Sequence, residues 1–361
     1  MKLLSARALH QQAAALIIAG GFGARFWPAA RVNRPKPLFS MNGRTSLLDD
    51  TIERLMPVIA RERIFVLVPS ALEEVFAAAI RDRIPRANLL LEPDRRGTAV
   101  AIAYGAAVIK SRLGEALLAV MPADHHIYPA AAFRRTLSAG LRLAARDQEG
   151  GMLVIIGVPP SRPDTGYGYL EIGQQLDGQG FKVRKFVEKP AAPLARTMVR
   201  SGRFLWNAGM FLMSTATLEN ELRRHCPRLL AAMPKLIGQQ PGWERVYQRL
   251  DFDSFDYEVM EKSANVAAVR AAFKWNDVGS WDGLWQSLRD GSGNALSGNV
   301  VAMDSKQVLA RGDQRLMVLL GVEDLIVVDT PDALLVANRA RTQEVKQVIA
   351  ELRRRRLTGY L

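Results

Sequence analysis

The chain has 361 residues, of which 48% are hydrophobic and 24% are charged. These values are those of an ordinary soluble globular protein, and they exclude a disordered, a collagen-like or a disulfide-stapled chain. The length suffices for one large α/β domain and a smaller second domain. The lone cysteine, Cys226, cannot form an internal disulfide, which fits a reducing cytoplasm.

The net charge is +13, from 49 Lys and Arg against 36 Asp and Glu. A basic chain can bind nucleic acid, an anionic membrane or a highly charged small substrate. The cations are dispersed except at Arg353–Arg356, where a helical pattern predicts a solvated helix end. The apolar stretch Ala13–Ala19 runs into a glycine loop, which indicates a buried strand and not a signal peptide. We therefore expect small-molecule substrates, no nucleic acid or membrane as partner, and a cytoplasmic location.

The first half of the chain alternates apolar strands with amphipathic helices. Strands are predicted at 14–19, 64–68, 89–91, 116–121 and 152–158, and helices at 46–58, 72–81, 98–113 and 133–145. This alternation predicts an α/β fold with a Rossmann-like, mostly parallel sheet and helices on both faces. Ligands of such sheets bind beyond the carboxyl ends of the strands, so chemistry is expected just after Ala19, Leu91 and Met121.

The pattern changes after residue 158. Two strands, Tyr167–Ile172 and Phe181–Val187, are predicted to form a hairpin. Asp290–Gly298 is rich in Gly, Ser and Asn, which indicates a domain boundary. Short strands are predicted beyond it at 300–303, 316–320, 325–328 and 333–336, followed by a terminal helix at 342–352. We therefore predict two domains, 1–290 and 291–361, the second a small β module closed by a helix.

A glycine-rich loop follows the first predicted strand. Its glycines let backbone N–H groups approach an anion with no Cβ in the way. The loop continues into four cations, which are Arg25, Arg31, Arg34 and Lys36. This density suits a nucleoside triphosphate better than a dinucleotide, and the glycine spacing and the missing ribose acid disfavour a dehydrogenase. A tight turn with solvated arginines is the alternative.

Two carboxylates are candidates for a metal site. Asp124 follows a buried strand, where an Asp is well placed to hold Mg²⁺, although a helix cap is an equally common role. Asp277 lies in a glycine-containing turn between tryptophans and could complete an oxygen-ligand site. His125 and His126 lack further ligands at zinc spacing, so we expect them in a surface turn. The tryptophans are expected in the core.

Three further segments offer polar groups beside glycine or proline. Gly168 is one of two glycines around a tyrosine, and Asn207 precedes another glycine by two positions. Glu188 and Lys189 are adjacent, so on a strand they would point to opposite faces. Both can engage one ligand only if the chain turns there, and Pro190 permits that turn. An exposed ion pair or a core aromatic is the alternative for each segment.

Taken in order, these motifs resemble the sugar-nucleotide pyrophosphorylases, and among them the mannose-1-phosphate guanylyltransferase branch. The matching segments are Gly20–Pro28, Pro35-Lys36, Glu92-Pro93, Arg96, Thr98-Ala99, Pro122–His125, Thr165–Tyr169, Glu188–Pro190, Trp206–Gly209 and Trp275–Trp281. The resemblance covers roughly residues 13–290 and is specific, because many motifs keep their order and spacing. The segment beyond is similar in placement to the family's small β-helix-like C-terminal domain.

The resemblance implies transfer of GMP from GTP to α-D-mannose 1-phosphate, giving GDP-mannose and pyrophosphate. It implies catalytic roles for Arg25, Lys36 and Lys189. It further implies a nucleotide site at Ala19, Gly20, Gly21, Gly23, Arg25, Lys36 and Thr98, a sugar-phosphate site at Gly168, Glu188, Lys189 and Asn207, and Mg²⁺ ligands at Asp124 and Asp277. A homodimer is a fair expectation from the family.

Two departures from the family pattern bear on the base. Gly97 stands where the guanylyl branch usually has Asn, and Pro37 stands where its bacterial members commonly have Gln. Use of another nucleoside triphosphate or another sugar 1-phosphate therefore stays open. An inactive paralogue that binds sugar nucleotide and regulates a partner is a further alternative, against which the retained charged motif residues argue.

Overall fold

The computed structural model describes residues 4–41, 43–146, 151–178, 180–237 and 241–361. Its α-helices are α1 (Ala6–Gln12), α2 (Leu47–Leu55), α3 (Glu73–Ile80), α4 (Thr98–Leu113), α5 (Ala130–Ala144), α6 (Ala192–Ser201), α7 (Thr215–His225), α8 (Pro227–Leu236), α9 (Trp243–Gln248), α10 (Trp281–Leu288) and α11 (Val345–Arg354). Its strands are β1 (Ala13–Ile18), β2 (Ile64–Pro69), β3 (Leu89–Glu92), β4 (Leu117–Pro122), β5 (His126–Tyr128), β6 (Leu153–Val158), β7 (Tyr169–Asp177), β8 (Gly180–Val187), β9 (Phe204–Ser214), β10 (Val266–Arg270), β11 (Lys274–Asn276), β12 (Ala295–Ser297), β13 (Val300–Met303), β14 (Leu309–Arg311), β15 (Met317–Leu320), β16 (Leu325–Asp329) and β17 (Leu334–Asn338). A π-helical turn spans Asp256–Met260. Within these residues no helix is both long and apolar enough to cross a membrane.

The predicted strands and helices of the first half are confirmed to within a few residues. Helix α4 has the predicted bounds, Thr98–Leu113. Ser46 caps the start of helix α2, since its Oγ accepts a hydrogen bond from the Asp49 N–H at 3.0 Å. The Asp49 carboxylate accepts one from the Ser46 N–H in return, also at 3.0 Å. This reciprocal pair satisfies N–H groups that the first helical turn leaves without a partner.

Nine strands of the described chain form one sheet in the order β3-β2-β1-β4-β9-β6-β10-β8-β7. The first four are parallel to one another, with Leu16 of β1 between Phe65 of β2 and Val120 of β4. The predicted α/β class is confirmed, and these four strands are parallel as predicted. The sheet as a whole is mixed and not mostly parallel in its strand pairings, because β9 is antiparallel to β4, β6 and β7, and β8 is antiparallel to β7 and β10. The predicted hairpin is also confirmed, since β7 and β8 pair antiparallel. Residue 179, which stands between the two strands in the sequence, lies outside the described residues.

Two strands of this sheet were not predicted. Strand β9 lies between β4 and β6 and is antiparallel to both. Strand β10 pairs parallel with β6 and antiparallel with β8. Because both strands join neighbours that precede them by many residues, no local pattern reports their pairing. Strand β9 carries Asn207, so the sheet itself positions this side chain.

Packing divides the chain into two compact units. The first comprises Met1–Gly20, Thr51–Ala123 and Ile127–Trp275, and the second comprises Gly21–Asp50, Asp124–His126 and Asn276–Leu361. The glycine loop therefore packs with the C-terminal part of the chain. The division into domains at 290/291 stays a prediction.

The core of the first unit forms around α4. This helix buries nearly its whole length, from Ala99 to Ile109, because its small side chains let it approach the sheet closely. At Gly105 the approach is closest, since a Cβ there would lie 2.4 Å from Leu16 Cδ2 of β1. A glycine is therefore needed where the helix crosses this strand.

The second unit contains the C-terminal strands. Strands β12, β14 and β16 stack in parallel, β17 closes this sheet antiparallel, and β13 pairs parallel with β15. Inner side chains of β12, β14, β16 and β17 share one apolar cluster with Phe26, Phe39, Trp281 and Val345. Strands β13 and β15 contribute to a separate, smaller cluster. The predicted terminal helix is α11, and Arg353–Arg356 at its end are exposed, as expected.

Candidate active site

Within the second unit, the glycine loop lies against Lys36. Gly23 has φ +70°, a conformation that L side chains rarely adopt. A Cβ at Gly23 would lie 2.5 Å from Lys36 Cβ, so only glycine fits there. A Cβ at Gly21 would come 3.9 Å from Asp124 Oδ2. The loop and this carboxylate are therefore neighbours, as the motif order implied.

Lys36 joins the two candidate metal residues. Its ammonium donates to Asp124 Oδ2 at 2.8 Å and to the backbone oxygen of Asp277 at 2.8 Å. A short 3₁₀ turn, Lys36–Leu38, sets the direction of this side chain, which is only 9% exposed. The structure thus brings together three residues from segments far apart in sequence. A pairing of Asp277 with Asp124 was offered by the residues themselves, whereas the contact of Lys36 with both was not predicted.

Asp124 is an anion beside this lysine. Burial opposes ionisation, but the charge of Lys36, followed by that of His125, lowers the pKa of Asp124 below its usual value. The side chain is 25% exposed, so one face of the carboxylate reaches solvent. Among the described residues no group of three or more His, Cys, Asp and Glu is arranged to hold a metal. Asp124 and Asp277 offer carboxylate oxygens, the donors that Mg²⁺ takes when one or two carboxylates hold it together with substrate phosphates and water.

The turn that carries Asp277 is strained. Its next residue, Val278, has φ +46° and is fully buried. A β-branched residue in this conformation is an outlier that the surrounding contacts must enforce. The Asn276 side chain enforces it here by accepting from the Val278 N–H at 2.7 Å, and Asp277 Oδ1 accepts from the Gly279 N–H at 3.2 Å. Strain of this kind concentrates at functional sites.

The four cations that follow the loop have different environments. Arg25 is exposed and makes a long hydrogen bond to the Gly279 backbone oxygen at 3.3 Å, so most of its guanidinium faces solvent. Arg31 forms a bidentate pair with Asp332 at 2.5 and 2.7 Å. The Arg31 guanidinium is thereby paired with a carboxylate of its own unit. Arg34 is exposed, like Arg25, whereas Lys36 is buried against Asp124.

The remaining nucleotide candidates lie in the first unit. Ala19 is buried, and its N–H donates to the Leu67 oxygen at 2.9 Å. A Cβ at Gly20 would meet no atom within 4 Å, so the space beside this residue is open. Thr98 is the first residue of α4, and its hydroxyl accepts from the Phe255 N–H at 2.9 Å. The next N–H of this first helical turn, that of Ala99, already donates to the Asp253 oxygen at 3.4 Å.

Gly97 has a steric reason to be glycine. It has φ +83°, and a Cβ there would lie 2.4 Å from the Phe252 oxygen and 2.5 Å from the Asp253 oxygen. These atoms belong to backbone, which cannot rotate away. In this chain the position is therefore closed to the asparagine common in the guanylyl branch.

Replacing Gly97 with Ala is expected to destabilise the fold by roughly 2 kcal/mol, through both the strained φ and the backbone clash. Urea unfolding of the two proteins measures this difference. Gly114→Ala is the matched control, because Gly114 has φ +73° but nothing within 4 Å of its Cβ position. Equal losses for the two variants would mean that the clash contributes nothing.

In the first unit the chain turns between Glu188 and Lys189, as one ligand for both would require. Lys189 has φ +45°, and its ammonium lies 2.8 Å from Glu188 Oε1. This hydrogen bond raises the pKa of Lys189. Glu188 Oε2 is buried and has no hydrogen-bond partner among the described residues. A buried acceptor without a partner is costly, so a ligand hydroxyl is its expected donor.

Gly168 lies directly against this carboxylate. A Cβ at Gly168 would lie 2.4 Å from Glu188 Oε2, and the Gly168 backbone oxygen accepts from the Asn207 N–H at 2.8 Å. The glycine therefore brings two candidate sugar ligands to one place.

Gly168→Ala is expected to displace the Glu188 side chain and to raise the KM for the sugar phosphate by roughly 10–100-fold. The melting temperature should fall somewhat as well, because the new Cβ would also lie 3.1 Å from Phe186 Cζ and 3.3 Å from Asn207 Cβ. Steady-state kinetics with each substrate varied in turn separates this effect from GTP binding. Gly291→Ala, whose Cβ would meet nothing within 4 Å, is the control. An unchanged sugar-phosphate KM would contradict the assignment of Gly168.

Asn207 is fixed from both sides of its amide. Its Oδ1 accepts from the Gly209 N–H at 2.9 Å, and its Nδ2 donates to Asp256 Oδ1 at 2.6 Å. Asp256 was not among the predicted site residues. It begins the π-helical turn Asp256–Met260, a conformation that sequence periodicity does not report.

The aromatic residues of the motifs are mainly structural. Trp281 is fully buried against Phe26 and Phe39, which confirms its predicted place in the core. Glu92 of the Glu-Pro motif is also buried, at the end of β3, and accepts a hydrogen bond from the Tyr247 hydroxyl at 2.5 Å. The Glu-Pro motif therefore fixes the end of β3 through this hydrogen bond.

Known families and proteins are similar to this chain in sequence and in fold. Residues 14–294 match the family described as "Nucleotidyl transferase", and residues 298–352 match the "MannoseP isomerase/GMP-like beta-helix domain", which confirms the predicted C-terminal module. The xanthan biosynthesis protein XanB of Xanthomonas campestris pv. campestris is 38% identical over 94% of this chain and 73% of its own length. A mannose-1-phosphate guanylyltransferase of Escherichia coli is 34% identical over 96% of this chain and 75% of its own length. A crystal structure from Thermus thermophilus, of a protein named mannose-1-phosphate geranyltransferase, has a TM-score of 0.85 and 36% identity, and covers 95% of this chain and 99% of that one.

Proposed function

The chain belongs to the nucleotidyl transferase family, as its motifs predicted, and on that premise we propose that it transfers GMP from GTP to α-D-mannose 1-phosphate. The products are GDP-mannose and pyrophosphate. Relatives named mannose-1-phosphate guanylyltransferase, 33–34% identical over most of the chain, support this choice of substrates. The observation that carries the proposal is the contact of Lys36 with Asp124 and Asp277, because it joins three motifs of this family around one ammonium.

The chemistry requires little acid–base help from the protein. The nucleophile is an oxygen of the sugar phosphate, which is already ionised at neutral pH, so no general base is needed. This oxygen attacks the α-phosphorus of GTP, a new P–O bond forms, and the bond to the β-phosphate oxygen breaks as pyrophosphate leaves. The protein supplies in-line positioning and neutralises charge on the phosphates.

The triphosphate is the proposed ligand of Lys36 and Arg25. Lys36 is held in place by its hydrogen bonds, whereas Arg25 is exposed and free to close on phosphate. The backbone of Ala19, Gly20, Gly21, Gly23 and Thr98 is the proposed support for the nucleotide, and the open space at Gly20 agrees with a ligand there. Backbone N–H groups at the three glycines suit this role because no Cβ of their own stands in the way, whereas the Ala19 N–H already donates to the Leu67 oxygen.

Asp124 and Asp277 are the residues that would hold Mg²⁺. When bound, this ion neutralises phosphate charge and orients the reacting groups. The low pKa of Asp124 keeps its carboxylate available for this role at neutral pH. Lys36 limits the repulsion between this carboxylate and an incoming phosphate.

The sugar phosphate is the proposed ligand of the second group of residues. Lys189 is 56% exposed and can contact the phosphate, while the buried Glu188 Oε2 and the Asn207 amide bond sugar hydroxyls. Gly168 leaves room for the Glu188 carboxylate. A carboxylate and an amide at fixed positions favour one arrangement of hydroxyls over another.

The test is pyrophosphate release with Mg²⁺ and mannose 1-phosphate, offering GTP, ATP, dTTP, UTP and CTP separately. Turnover with GTP alone is expected. Turnover with another nucleotide would assign the chain to a related nucleotidyltransferase that has a different nucleotide specificity and the same chemistry. No pyrophosphate release with any of the five nucleotides, with mannose 1-phosphate or with other sugar 1-phosphates, would contradict the proposal and favour a regulatory paralogue.

We further propose that the enzyme works in the cytoplasm as a homodimer, with its catalytic domain at 1–290 and a β-helix-like domain at 291–361. Small molecules are its proposed partners, without nucleic acid or membrane. Light scattering measures the mass of the assembly directly, and a monomer of 39.9 kDa would contradict the proposed dimer.

A further inference from the structure

A carboxylate that no sequence motif pointed to lies beside the sugar-binding residues. Asp256 Oδ1 accepts a hydrogen bond of 2.6 Å from Asn207 Nδ2. Burial, followed by the charge of Glu188, raises the pKa of Asp256 to about 6, whereas the bond from Asn207 lowers it. The Lys189 ammonium, which pairs with Glu188 at 2.8 Å, lies 6.0 Å from the ring centroid of Tyr257, the residue next to Asp256.

The backbone fixes the position of Asp256. It is the first residue of the π-helical turn, a conformation often found at functional sites. The N–H of the preceding residue, Phe255, donates to the Thr98 hydroxyl at 2.9 Å. At the other end of the turn, Glu261 Oε1 accepts from the Glu188 N–H at 3.1 Å. These bonds tie the turn to the start of α4 and to the Glu188 backbone.

The amide of Asn207 has limited hydrogen-bonding capacity left. Its oxygen accepts from Gly209, and one of its two N–H groups donates to Asp256. The second N–H is then the group that can reach a ligand. Without Asp256 the amide could rotate or flip, because the Gly209 contact alone holds only its oxygen.

We propose that Asp256 is a positioning residue of the sugar subsite, which holds the Asn207 amide so that its remaining N–H meets a sugar hydroxyl while Glu188 Oε2 accepts from another. Asp256 acts through Asn207 and need not touch the substrate. The inference rests on the proposed function, since it takes Glu188, Lys189 and Asn207 to bind the sugar phosphate. Asp256 thereby determines how the sugar hydroxyls are recognised.

The experiment compares Asp256→Ala, Asp256→Asn and the control Asp251→Asn. Losing the charged hydrogen bond in Asp256→Ala is expected to raise the KM for mannose 1-phosphate by roughly 10–50-fold, with the GTP KM unchanged. Asp256→Asn should stay near wild type, because the new amide oxygen accepts the same bond. Asp251 is exposed on the same segment, and its substitution makes the same charge change away from Asn207.

A double-mutant cycle with Asn207→Ala tests whether Asp256 acts through Asn207. The effects of Asp256→Ala and Asn207→Ala are expected to be strongly non-additive in the sugar-phosphate KM. Additive effects would overturn the inference, and so would an Asp256→Ala variant with wild-type KM, or an Asp256→Asn variant as impaired as Asp256→Ala. Thermal melts check folding, and Asp256→Ser, which is too short to reach Asn207, replaces the alanine variant if that one is unfolded.

Calorimetric binding of mannose 1-phosphate separates this inference from the proposed function. Wild-type turnover with GTP and mannose 1-phosphate tests the function. An active wild type whose affinity for mannose 1-phosphate survives Asp256→Ala overturns the role of Asp256 alone. A wild type that neither binds nor turns over this sugar phosphate overturns both.

Discussion

Replacing Lys36 with Met is expected to lower kcat by roughly 1,000-fold or more, the scale on which a cation that stabilises phosphoryl transfer contributes. The ammonium contacts both Asp124 and the Asp277 backbone, and methionine fills its volume without charge or donor. Binding of GTP should weaken as well. Steady-state pyrophosphate release at saturating substrates measures the change in kcat.

The same substitution leaves the Asp124 carboxylate without its counter-ion, so some stability should be lost too. The double variant Lys36→Met/Asp124→Asn removes both charges and is expected to regain stability but not turnover. Lys346→Met is the matched control, because Lys346 is an exposed lysine of α11 in the same unit. If Lys36→Met keeps more than about a tenth of wild-type kcat, Lys36 does not stabilise the transition state.

Replacing Asp277 with Ala is expected to abolish measurable turnover, a loss of about 1,000-fold, because the reaction would lose one of its two proposed Mg²⁺ ligands. The fold should persist. Lys36 bonds the backbone oxygen of Asp277, which the substitution leaves in place, while the hydrogen bond from the Gly279 N–H to the side chain is lost. Activity measured over a range of Mg²⁺ concentrations checks the metal role.

Asp313→Ala is the control for this variant, because Asp313 is an exposed carboxylate of the same unit. It should match wild type at every Mg²⁺ concentration. Near-normal turnover of Asp277→Ala would remove this residue from the metal site. Partial recovery of turnover at high Mg²⁺ would support the role of Asp277 as a ligand. A melting temperature below that of wild type, with turnover that does not depend on the Mg²⁺ concentration, would indicate a structural role for the turn.

The sequence predicts the parallel half of the sheet well, because its signals are local. Each strand from β1 to β4 is a continuous apolar run, and the helices between them repeat apolar residues at helical spacing. The start of α2 follows from the pair Ser46 and Asp49, which cap it reciprocally. Such contacts form between residues a few positions apart, so they can be predicted from the local sequence.

The candidate site is predictable as a set of residue types, but its geometry is not. Lys36, Asp124 and Asp277 stand out because a triphosphate needs cations and Mg²⁺ needs carboxylates. The sequence could only require a turn between Glu188 and Lys189. The structure shows it, in the φ of +45° at Lys189.

By itself, then, the sequence determines the strand and helix alternation, the motif order and the family. Only the tertiary structure decides that β9 enters the sheet between β4 and β6, that Asp256 holds Asn207, and that the glycine loop packs with the C-terminal strands. The physical reason is the same in all three cases. Pairing and packing between distant segments depend on which surfaces the whole chain can bury at once, and no local period or motif encodes that choice.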